Sequence, residues 1–286
     1  MLRLAVATNK ETYDRLQTPL EKRGITVEHV KTRERTISLT EPWDGFDVGF
    51  VYPTRIMEGG VADALLDVPW VNDREAILTS RNKAGVIAAL ARKGLPVPET
   101  TMVSNPTERG DIEAVFEAFE TPVVVKPNST TRGTGVVKVH DADSFLGVSD
   151  YLSLIHDYRA TGDKSFLVQE YVEDARDYRV MVLDGEYVGA VERRLPGDSN
   201  HWKHNVHRGA KATGVDLPDH LKELAEQTAT ALDIPLLGVD LLVTDDRAVI
   251  NETNARPTID DPEKYVPGFY DRLAGVIRET AEGNSD

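Results

Sequence analysis

The chain has 286 residues and carries a formal net charge of −15, from 48 acidic and 33 basic residues. Such a negative field repels phosphate, which argues against non-specific binding to nucleic acid or to anionic membranes. No stretch approaches the ~20 consecutive apolar residues of a membrane span, and the sequence has no cysteine, which excludes disulfides, thiolate metal sites and cysteine nucleophiles.

The first eight residues form too short an apolar run for a signal peptide, because Asn9, Lys10 and Glu11 interrupt it. We therefore expect a cytoplasmic protein. Arginine outnumbers lysine, and an acidic, lysine-poor surface is tolerated in high salt, where screening relieves self-repulsion. The composition thus favours a salt-adapted cytoplasm.

Residues 1 to about 75 alternate between strand-like and helical patterns, which predicts a parallel sheet with covering helices. The predicted strands are residues 2–8, 25–30, 48–52 and 70–71, and the predicted helices are residues 11–23 and 59–66. No glycine-rich turn follows the first strand, where a dinucleotide-binding site would need one. An NAD-type Rossmann site is therefore not expected.

A second set of elements begins with a helix predicted over residues 80–92, which Gly94 and Pro96 end. Further helices are predicted at residues 111–119, 143–159, 218–232 and 269–280, and a strand at residues 166–170. Asp184-Gly185 joins two β-rich runs, residues 178–183 and 187–193, and is the clearest hairpin signal in the sequence.

Two apolar runs near the C-terminus flank an Asp-Asp turn, which predicts another hairpin. Strand alternation places Glu252 and Asn254 on one face, and Asp240 can face them across the ladder. Three oxygen-bearing side chains of this kind suit Mg²⁺ bound beside phosphates. The alternative is an ordinary hairpin with solvated acidic ends.

A buried-type strand ends in Lys126, and a small, glycine-containing loop at residues 128–135 leads to the next strand. The backbone N–H groups of such a loop can lie over phosphates, while the lysine supplies a cation. The run is not a Walker A motif, which needs Gly-Lys-Ser/Thr at the start of a helix. The alternative is a plain glycine turn.

Three polar features interrupt the strands of the second half. The Gln-Glu pair at 169–170 breaks an apolar strand, and such an edge can hydrogen-bond an adenine or a ribose; the alternative is a strand that leaves the core. Asp177 and Arg179 lie two residues apart and face the same way. The alternative to a role in a site is an ion pair at the entrance of the strand. Arg193 and Arg194 end their strand, and only one of them can point inward, toward an anionic substrate.

The polar loop at residues 196–211 carries three histidines, at positions 201, 204 and 207, a spacing that suggests zinc. Two considerations oppose a zinc site: helical spacing cannot be assumed in such a loop, and no fourth protein ligand is apparent nearby. The lysine, arginine and asparagine content favours a cationic loop that closes on phosphate.

In chain order, these pieces resemble the ATP-grasp superfamily and, within it, the RimK-type carboxylate–amine ligases. The resemblance runs from about residue 70 to about residue 273. It rests on the Lys126 strand with its glycine loop, Gln169-Glu170-Tyr171, Asp177-Tyr178-Arg179, Asn205-Val206-His207-Arg208-Gly209, the run around Asp240, and Glu252-Thr253-Asn254.

The resemblance implies a mixed α/β (α+β) architecture, an ATP-grasp fold preceded by a pre-ATP-grasp parallel α/β domain. The N-terminal domain would span residues 1–79. A central subdomain with the phosphate loop would span residues 80–172, and a C-terminal subdomain with the metal ligands residues 173–286.

The resemblance also implies roles for single residues. The expected ATP contacts, with Glu170 and Tyr171 at the adenine and Asp177 near the ribose, are Lys83, Lys126, Glu170, Tyr171, Asp177, Lys203, His204 and Asn205. Asp240, Glu252 and Asn254 would bind Mg²⁺ (or Mn²⁺), with two ions expected. Arg208 and Arg256 are the candidate catalytic residues, at the transferred phosphoryl group and the acyl phosphate.

Two departures from the family pattern bear on these roles. The loop around Gly133 and Gly135 differs from the common Gly-Ile-Gly form, which leaves the roles of Ser129, Thr131 and Arg132 open. Arg256 stands where many RimK-type members have a small residue, and it weakens a substrate assignment by analogy.

The implied activity is that of an ATP- and Mg²⁺-dependent ligase, which joins a carboxylate to an amine through an acyl phosphate. The expected reaction adds an amino acid such as glutamate to a peptide, a protein terminus or a cofactor. Family members often form dimers or tetramers, so a homo-oligomer is an open option. Two alternatives remain: a nucleotide sensor or partner-binding protein without turnover, and other ATP-grasp chemistry such as carboxylation in a nucleotide pathway, which Arg256 favours.

Overall fold

The first of three sheets is parallel, and it confirms the predicted alternation of strands and helices to within a few residues. The computed structural model describes residues 1–130, 133–157, 163–195 and 210–283. The strand order is β2-β1-β3-β4. The elements are β1 (Leu2–Val6), α1 (Lys10–Glu21), β2 (Ile25–His29), β3 (Val48–Val51), α2 (Ile56–Leu66) and β4 (Trp70–Asn72).

Two helices follow where the sequence predicted one. Helices α3 (Arg74–Arg81) and α4 (Lys83–Arg92) meet at Asn82, so the helix predicted over residues 80–92 is wrong at its start. Asn82 has a ψ of 85°, outside the helical region, and its side chain accepts from Gly85 N at 3.1 Å as an N-cap. Lys83 therefore starts a new helix. The predicted domain boundary between residues 79 and 80 lies within α3 and stays a prediction.

The second sheet is antiparallel, with strand order β5-β8-β6-β7, and it has a hydrophobic core of its own. Its elements are β5 (Thr100–Ser104), α5 (Arg109–Glu117), β6 (Val123–Pro127), β7 (Val137–Val139), α6 (Ala142–Asp157) and β8 (Ser165–Glu170). The stacked rings of Phe116 and Phe145, with centroids 4.9 Å apart, join its two helices.

The third sheet is antiparallel, with strand order β11-β10-β9-β12-β13. Its strands are β9 (Arg176–Leu183), β10 (Glu186–Arg194), β11 (Lys211–Gly214), β12 (Leu236–Val243) and β13 (Ala248–Asn254). The other elements of this part are α7 (Asp219–Leu232), a short 3-10 helix (Pro262–Lys264) and α8 (Phe269–Glu282). Asp184 and Gly185, with φ of 51° and 73°, form the predicted β9–β10 turn.

The first and third sheets share one hydrophobic core, whereas the second sheet does not contribute to it. Helix α8 returns to pack on α1, β3 and β4. The fully buried Asn72 fastens β4 to the third sheet, because its side chain donates to Leu236 O at 2.6 Å and to Ala255 O at 2.7 Å, and accepts from Leu236 N at 3.0 Å. None of the described helices is long and apolar enough to cross a membrane.

Tyr52 is the one residue in the described ranges with a buried side-chain oxygen or nitrogen that has no hydrogen-bond partner. We expect Tyr52→Phe to leave the free energy of unfolding unchanged or to raise it by up to about 1 kcal/mol, because it removes an unsatisfied hydroxyl at nearly constant shape. Chemical denaturation measures the change. Tyr265→Phe is the matched control, since its hydroxyl accepts from Asp260 N at 2.9 Å and its loss should cost about 1 kcal/mol. A Tyr52→Phe variant as destabilised as the control would contradict the expectation.

Candidate active site

The β12–β13 hairpin carries the three predicted metal ligands. Asp240 lies directly opposite Glu252, and Gly238 lies opposite Asn254. The register shifts after Asp240, which makes Asn251 the extra residue of a β-bulge. Glu252 and Asn254 are two residues apart, so the two side chains share the face of Asp240. The predicted hairpin is confirmed.

The donor set fits a hard divalent cation. Two carboxylates and an amide oxygen are ligands that Mg²⁺ accepts, and beside phosphates this ion takes its other ligands from the phosphates and from water. No three His, Cys, Asp or Glu side chains of the described ranges are grouped so that they could hold a metal. Asn254 is therefore the third candidate oxygen beside Asp240 and Glu252, and the metal role of this set stays a prediction.

Asp240 is the centre of a buried ion-pair network. Arg179 binds it through two hydrogen bonds, Nε to Oδ1 at 2.7 Å and Nη2 to Oδ2 at 2.8 Å. Arg193 Nη2 lies 3.0 Å from Asp240 Oδ2, and Arg193 Nε donates to Asp177 Oδ1 at 3.0 Å. Burial disfavours the charge on Asp240, but the two guanidinium groups outweigh it and hold the pKa of Asp240 below its usual value. The carboxylate therefore stays ionised.

The same network decides which of the two strand-end arginines points inward. Arg193 is only 8% exposed and bridges Asp177 and Asp240. Arg194 is exposed and pairs with Glu192 at 2.7 Å. Burial opposes the charge on Arg193, yet the two carboxylates raise its pKa. Asp177, predicted near a ribose, is thus bound by an arginine, and its nucleotide role stays a prediction.

Two buried lysines face the hairpin from the preceding elements. Lys83, in the first turn of α4, lies 3.2 Å from Glu252 Oε1 and donates to the carbonyl of Thr130. Lys126, near the end of β6, donates to Gln169 Oε1 at 2.8 Å and contacts Asn251 Oδ1 at 3.5 Å. The pKa of Lys126 is lowered to about 8, chiefly by burial and also by the charge of Lys83, whereas Glu252 and Asp240 act to raise it. These cations and the acidic hairpin therefore meet in one place.

The glycine loop after β6 is fixed to the start of α4. Asn128 is buried, donates to Asn82 Oδ1 at 3.0 Å and accepts from Ala84 N at 2.9 Å. Gly133 and Gly135 have φ of 66° and 76°, and a Cβ at Gly135 would come within 2.8 Å of the Pro127 ring. Glycine is therefore required there. Thr131 and Arg132, two of the loop residues whose roles the sequence leaves open, lie outside the described ranges.

The predicted adenine contacts lie at the end of β8. The Glu170 carboxylate accepts from Glu99 N at 2.9 Å and from Arg247 Nη1 at 3.1 Å, so it is tied to the turn of the β12–β13 hairpin. The Lys138 ammonium lies 4.0 Å from the centroid of the Tyr171 ring. Glu170 and Tyr171 thus lie where the second and third sheets meet, and their adenine contacts stay predictions.

Arg256 connects the hairpin to the first sheet. Its backbone N donates to Asn254 Oδ1 at 2.9 Å, and its guanidinium donates to the carbonyl of Tyr52. Burial lowers the pKa of Arg256 to about 10, with the charges of Arg81 and Arg33 acting in the same direction. The other predicted catalytic residue and the predicted phosphate contacts of the 196–209 loop lie outside the described residues: Arg208, Lys203, His204 and Asn205.

Sequence reasoning missed two features of the site. Asn251 enters it only through the β-bulge, which the alternation of the strand does not reveal. Arg193 was recognised as one of two candidates, but its bridge between Asp177 and Asp240 depends on the pairing of β9 with both β10 and β12. A buried-strand pattern that ends in Arg-Arg is the signal that could have pointed to it.

Comparison with known proteins gives a match over most of the chain. A family model described as a RimK-like ATP-grasp domain matches residues 80–268. A probable alpha-L-glutamate ligase of Enterobacter sp. (strain 638) is 32% identical over 197 residues, which is 68% of this chain and 62% of that protein. The ribosomal protein bS6–L-glutamate ligase of Escherichia coli O139:H28 (strain E24377A / ETEC) is 32% identical over 198 residues, with the same two shares. The chain thus spans about 62% of the length of these curated relatives.

The fold matches a solved structure over nearly its whole length. The crystal structure of D-alanine–D-alanine ligase from Bacillus anthracis complexed with ATP covers 99% of this chain and 98% of its own, with a TM-score of 0.70 and 16% identity. At that identity the likeness concerns the fold alone. It confirms the predicted mixed α/β, ATP-grasp architecture.

Proposed function

Because the chain belongs to the RimK-like ATP-grasp family, we propose that it is an ATP- and Mg²⁺-dependent ligase that joins a carboxylate to an amine and releases ADP and phosphate. The observation that carries the proposal is the convergence of two buried lysines, Lys83 and Lys126, on the acidic hairpin face of Asp240 and Glu252. Cations for phosphate oxygens and oxygen ligands for a metal are what a nucleoside triphosphate needs in a water-poor cleft.

The reaction must first give the carboxylate a better leaving group. Transfer of the γ-phosphoryl group of ATP to a carboxylate oxygen yields an acyl phosphate and ADP. The amine nitrogen then forms a bond to the acyl carbon and loses a proton to solvent, the bond from that carbon to the phosphate oxygen breaks, and an amide and inorganic phosphate result. No dedicated base is required once the amine is free.

The residues have separate tasks in this scheme. Lys83 and Lys126 bind phosphate oxygens, and Arg208 and Arg256 neutralise charge on the transferred group and the acyl phosphate. Asp240, Glu252 and Asn254 would hold two Mg²⁺ or Mn²⁺ ions, which neutralise charge on the β- and γ-phosphates when bound. The network of Arg179 and Arg193 keeps the Asp240 carboxylate ionised and fixed in direction.

We assign the amine to a glutamate-like amino acid, because the curated relatives are named as glutamate ligases. The carboxylate would belong to a peptide, a protein terminus or a cofactor. The substrates are then a small molecule on the amine side and a small molecule, a peptide or a protein terminus on the carboxylate side, and neither nucleic acid nor a membrane takes part.

The deciding experiment is an assay of Mg²⁺-dependent ADP release from the purified protein against a panel of carboxylic acids and amines. We expect release with one pair, which depends on both members and yields the amide by mass spectrometry. Tight ATP binding without ADP under any pair would replace the ligase by a nucleotide sensor. ADP release that requires bicarbonate and does not depend on any amine would indicate carboxylation.

The affinity for ATP is expected to fall as the pH rises above about 8. The pKa of Lys126 is lowered to about 8, chiefly by burial, so its ammonium is lost as the pH passes that value. The KM for ATP should therefore be level below pH 8 and rise above it. Lys126→Arg is the control, because arginine keeps its charge over this range and should flatten the profile. A wild-type KM that does not change between about pH 7 and pH 9.5 would contradict the assignment.

A further inference from the structure

The two sides of the phosphate site belong to parts of the chain that pack separately. Lys83 begins α4, and Val86 and Leu90 of this helix lie in the core that the first and third sheets share. The strand before the glycine loop packs instead in the core of the second sheet, through Val123 and Val125. Neither core contains both elements, so the distance between Lys83 and the glycine loop is set by the linker and by polar contacts between the two parts.

Asn128, the first residue of the glycine loop, caps α4 from outside the helix. Asn82 is the N-cap of α4 and accepts from Gly85 N at 3.1 Å. The N–H of Ala84 is another first-turn donor without a partner inside the helix, and it donates to Asn128 Oδ1 at 2.9 Å. Asn128 Nδ2 donates in turn to Asn82 Oδ1 at 3.0 Å. Two asparagines from different parts of the chain thus cap one turn of helix.

The backbone of α4 fixes the direction of both side-chain amides. Because Ala84 N and Gly85 N are donors, each must face a side-chain oxygen, which leaves the Asn128 amide nitrogen to meet Asn82 Oδ1. At position 128, aspartate would keep the acceptor and lose the donor, whereas leucine, of similar size, would lose both. Asn128 is only 8% exposed, so water does not readily replace the lost partners. The contact therefore requires a carboxamide.

The same loop also contacts the lysine side chain. Lys83, the residue after the cap, donates to the carbonyl of Thr130 and lies 3.2 Å from Glu252 Oε1. Thr130 Oγ1 donates to Thr134 O at 3.0 Å, so the lysine meets a loop that is bonded within itself. Asn128 therefore holds the loop at the point where the Lys83 side chain leaves the helix, between the loop and the acidic hairpin.

We propose that Asn128 is a positioning residue of the phosphate site: its amide holds the glycine loop on the first turn of α4, so that Lys83 and the loop bind the same phosphates. The assignment rests on the ATP binding of the proposed function and adds a residue that acts through Lys83. Without the two hydrogen bonds, the second sheet and α4 adopt arrangements in which loop and lysine are apart. The apparent affinity for ATP then falls with the fraction of molecules that stay assembled.

The first test needs no nucleotide and follows hydrogen exchange of the full chain by NMR. In Asn128→Leu, the amide of Ala84 loses its acceptor and should exchange about tenfold or more faster than in the wild type. The amide of Gly85 keeps Asn82 as its acceptor and should retain its rate. Equal rates for Ala84 in the two proteins would overturn the proposal.

The second test is isothermal titration calorimetry with Mg²⁺ and a non-hydrolysable ATP analogue. We expect Asn128→Leu to weaken binding about tenfold or more, as the loss of two hydrogen bonds would cause. In a Lys83→Met background the same change should weaken binding by less than about threefold, because no lysine is left to position. Asn9→Leu is the matched control: Asn9 is the N-cap of α1 and accepts from Thr12 N at 3.0 Å, and its loss should leave the affinity unchanged.

A second variant tests the same contact from the other side. Asn82→Ser keeps a cap for Gly85 N, but the hydroxyl ends one bond earlier and does not reach Asn128. We expect about fivefold weaker binding from the one hydrogen bond lost. Thermal melting of each variant shows that it is folded, and Asn82→Ser replaces Asn128→Leu in both tests if the latter is not.

Two binding results would overturn the proposal. The first is an affinity of Asn128→Leu and of Asn82→Ser that equals the affinity of Asn9→Leu. The second is the same fold-change on Asn128→Leu with Lys83 present and with Lys83→Met, since a purely structural role would act independently of the lysine.

The ADP-release assay separates this proposal from the ligase function. Lysine-dependent weakening of ATP binding in Asn128→Leu, without ADP release by the wild type from any substrate pair, would leave the positioning role and remove the ligase. ADP release in which Asn128→Leu has the kcat and the KM for ATP of the wild type would leave the ligase and remove the positioning role.

Discussion

Replacing Glu252 with glutamine is expected to lower the kcat of ATP-dependent turnover by about 100-fold or more, as the loss of transition-state charge stabilisation would cause. Glu252 lies directly opposite Asp240 in the β12–β13 ladder, and its Oε1 lies 3.2 Å from the Lys83 ammonium. Glutamine keeps the size of the side chain but removes one of the two negative charges that would bind Mg²⁺. Lys83 also loses its ion-pair partner.

The measurement is the rate of ADP release at saturating ATP across a range of Mg²⁺ concentrations. Asp245→Asn is the control, because Asp245 is exposed in the turn of the same hairpin and the substitution removes the same charge. We expect the control to retain wild-type turnover. A Glu252→Gln variant within threefold of the wild type would remove the metal assignment of this hairpin.

Replacing Arg193 with glutamine is expected to lower the free energy of unfolding by about 3–5 kcal/mol, because it removes the cation that bridges two buried carboxylates. Arg193 and Asp240 are 8% and 5% exposed, and Asp177 is also buried. Arg179 still binds Asp240 in the variant through its two hydrogen bonds. The exposed neighbour gives a matched control, since Arg194→Gln breaks only a surface pair with Glu192 and should cost less than about 1 kcal/mol.

Chemical denaturation followed by circular dichroism measures both variants. The lost stability of Arg193→Gln should be partly restored by adding Asp177→Asn, because the double variant no longer buries the carboxylate charge that Arg193 neutralises. Equal stabilities of Arg193→Gln and Arg194→Gln would show that the network does not act as a buried unit.

The sequence predicts the strands and residues of the site better than the contacts between their side chains. Two apolar runs around an Asp-Asp turn were enough for the β12–β13 hairpin, and alternation put Asp240, Glu252 and Asn254 on one face. The partners of these side chains depend on register across three strands, which composition does not encode. The Arg193 bridge and the Asn251 bulge were therefore beyond reach, although Arg193 is one of the two strand-end arginines that the sequence singles out.

The errors in the elements have similar physical origins. A helical pattern continues through residues 80–92, but Asn82 is a better cap than a helix residue, so it ends α3 and begins α4. Strand β11 is a four-residue edge strand with little apolar content, and no local signal distinguishes it from the loop before it.

The core that the first and third sheets share extends beyond the segment that the family model matches. The matched segment, residues 80–268, contains the hairpin but neither β1–β4 nor α8. Phe269, Leu273 and Ile277 of α8 are buried in the same core as Val180, Leu237 and Leu241 of the third sheet. Excising residues 80–268 would remove one side of the hydrophobic core that supports the third sheet, so we do not expect the matched segment to fold on its own.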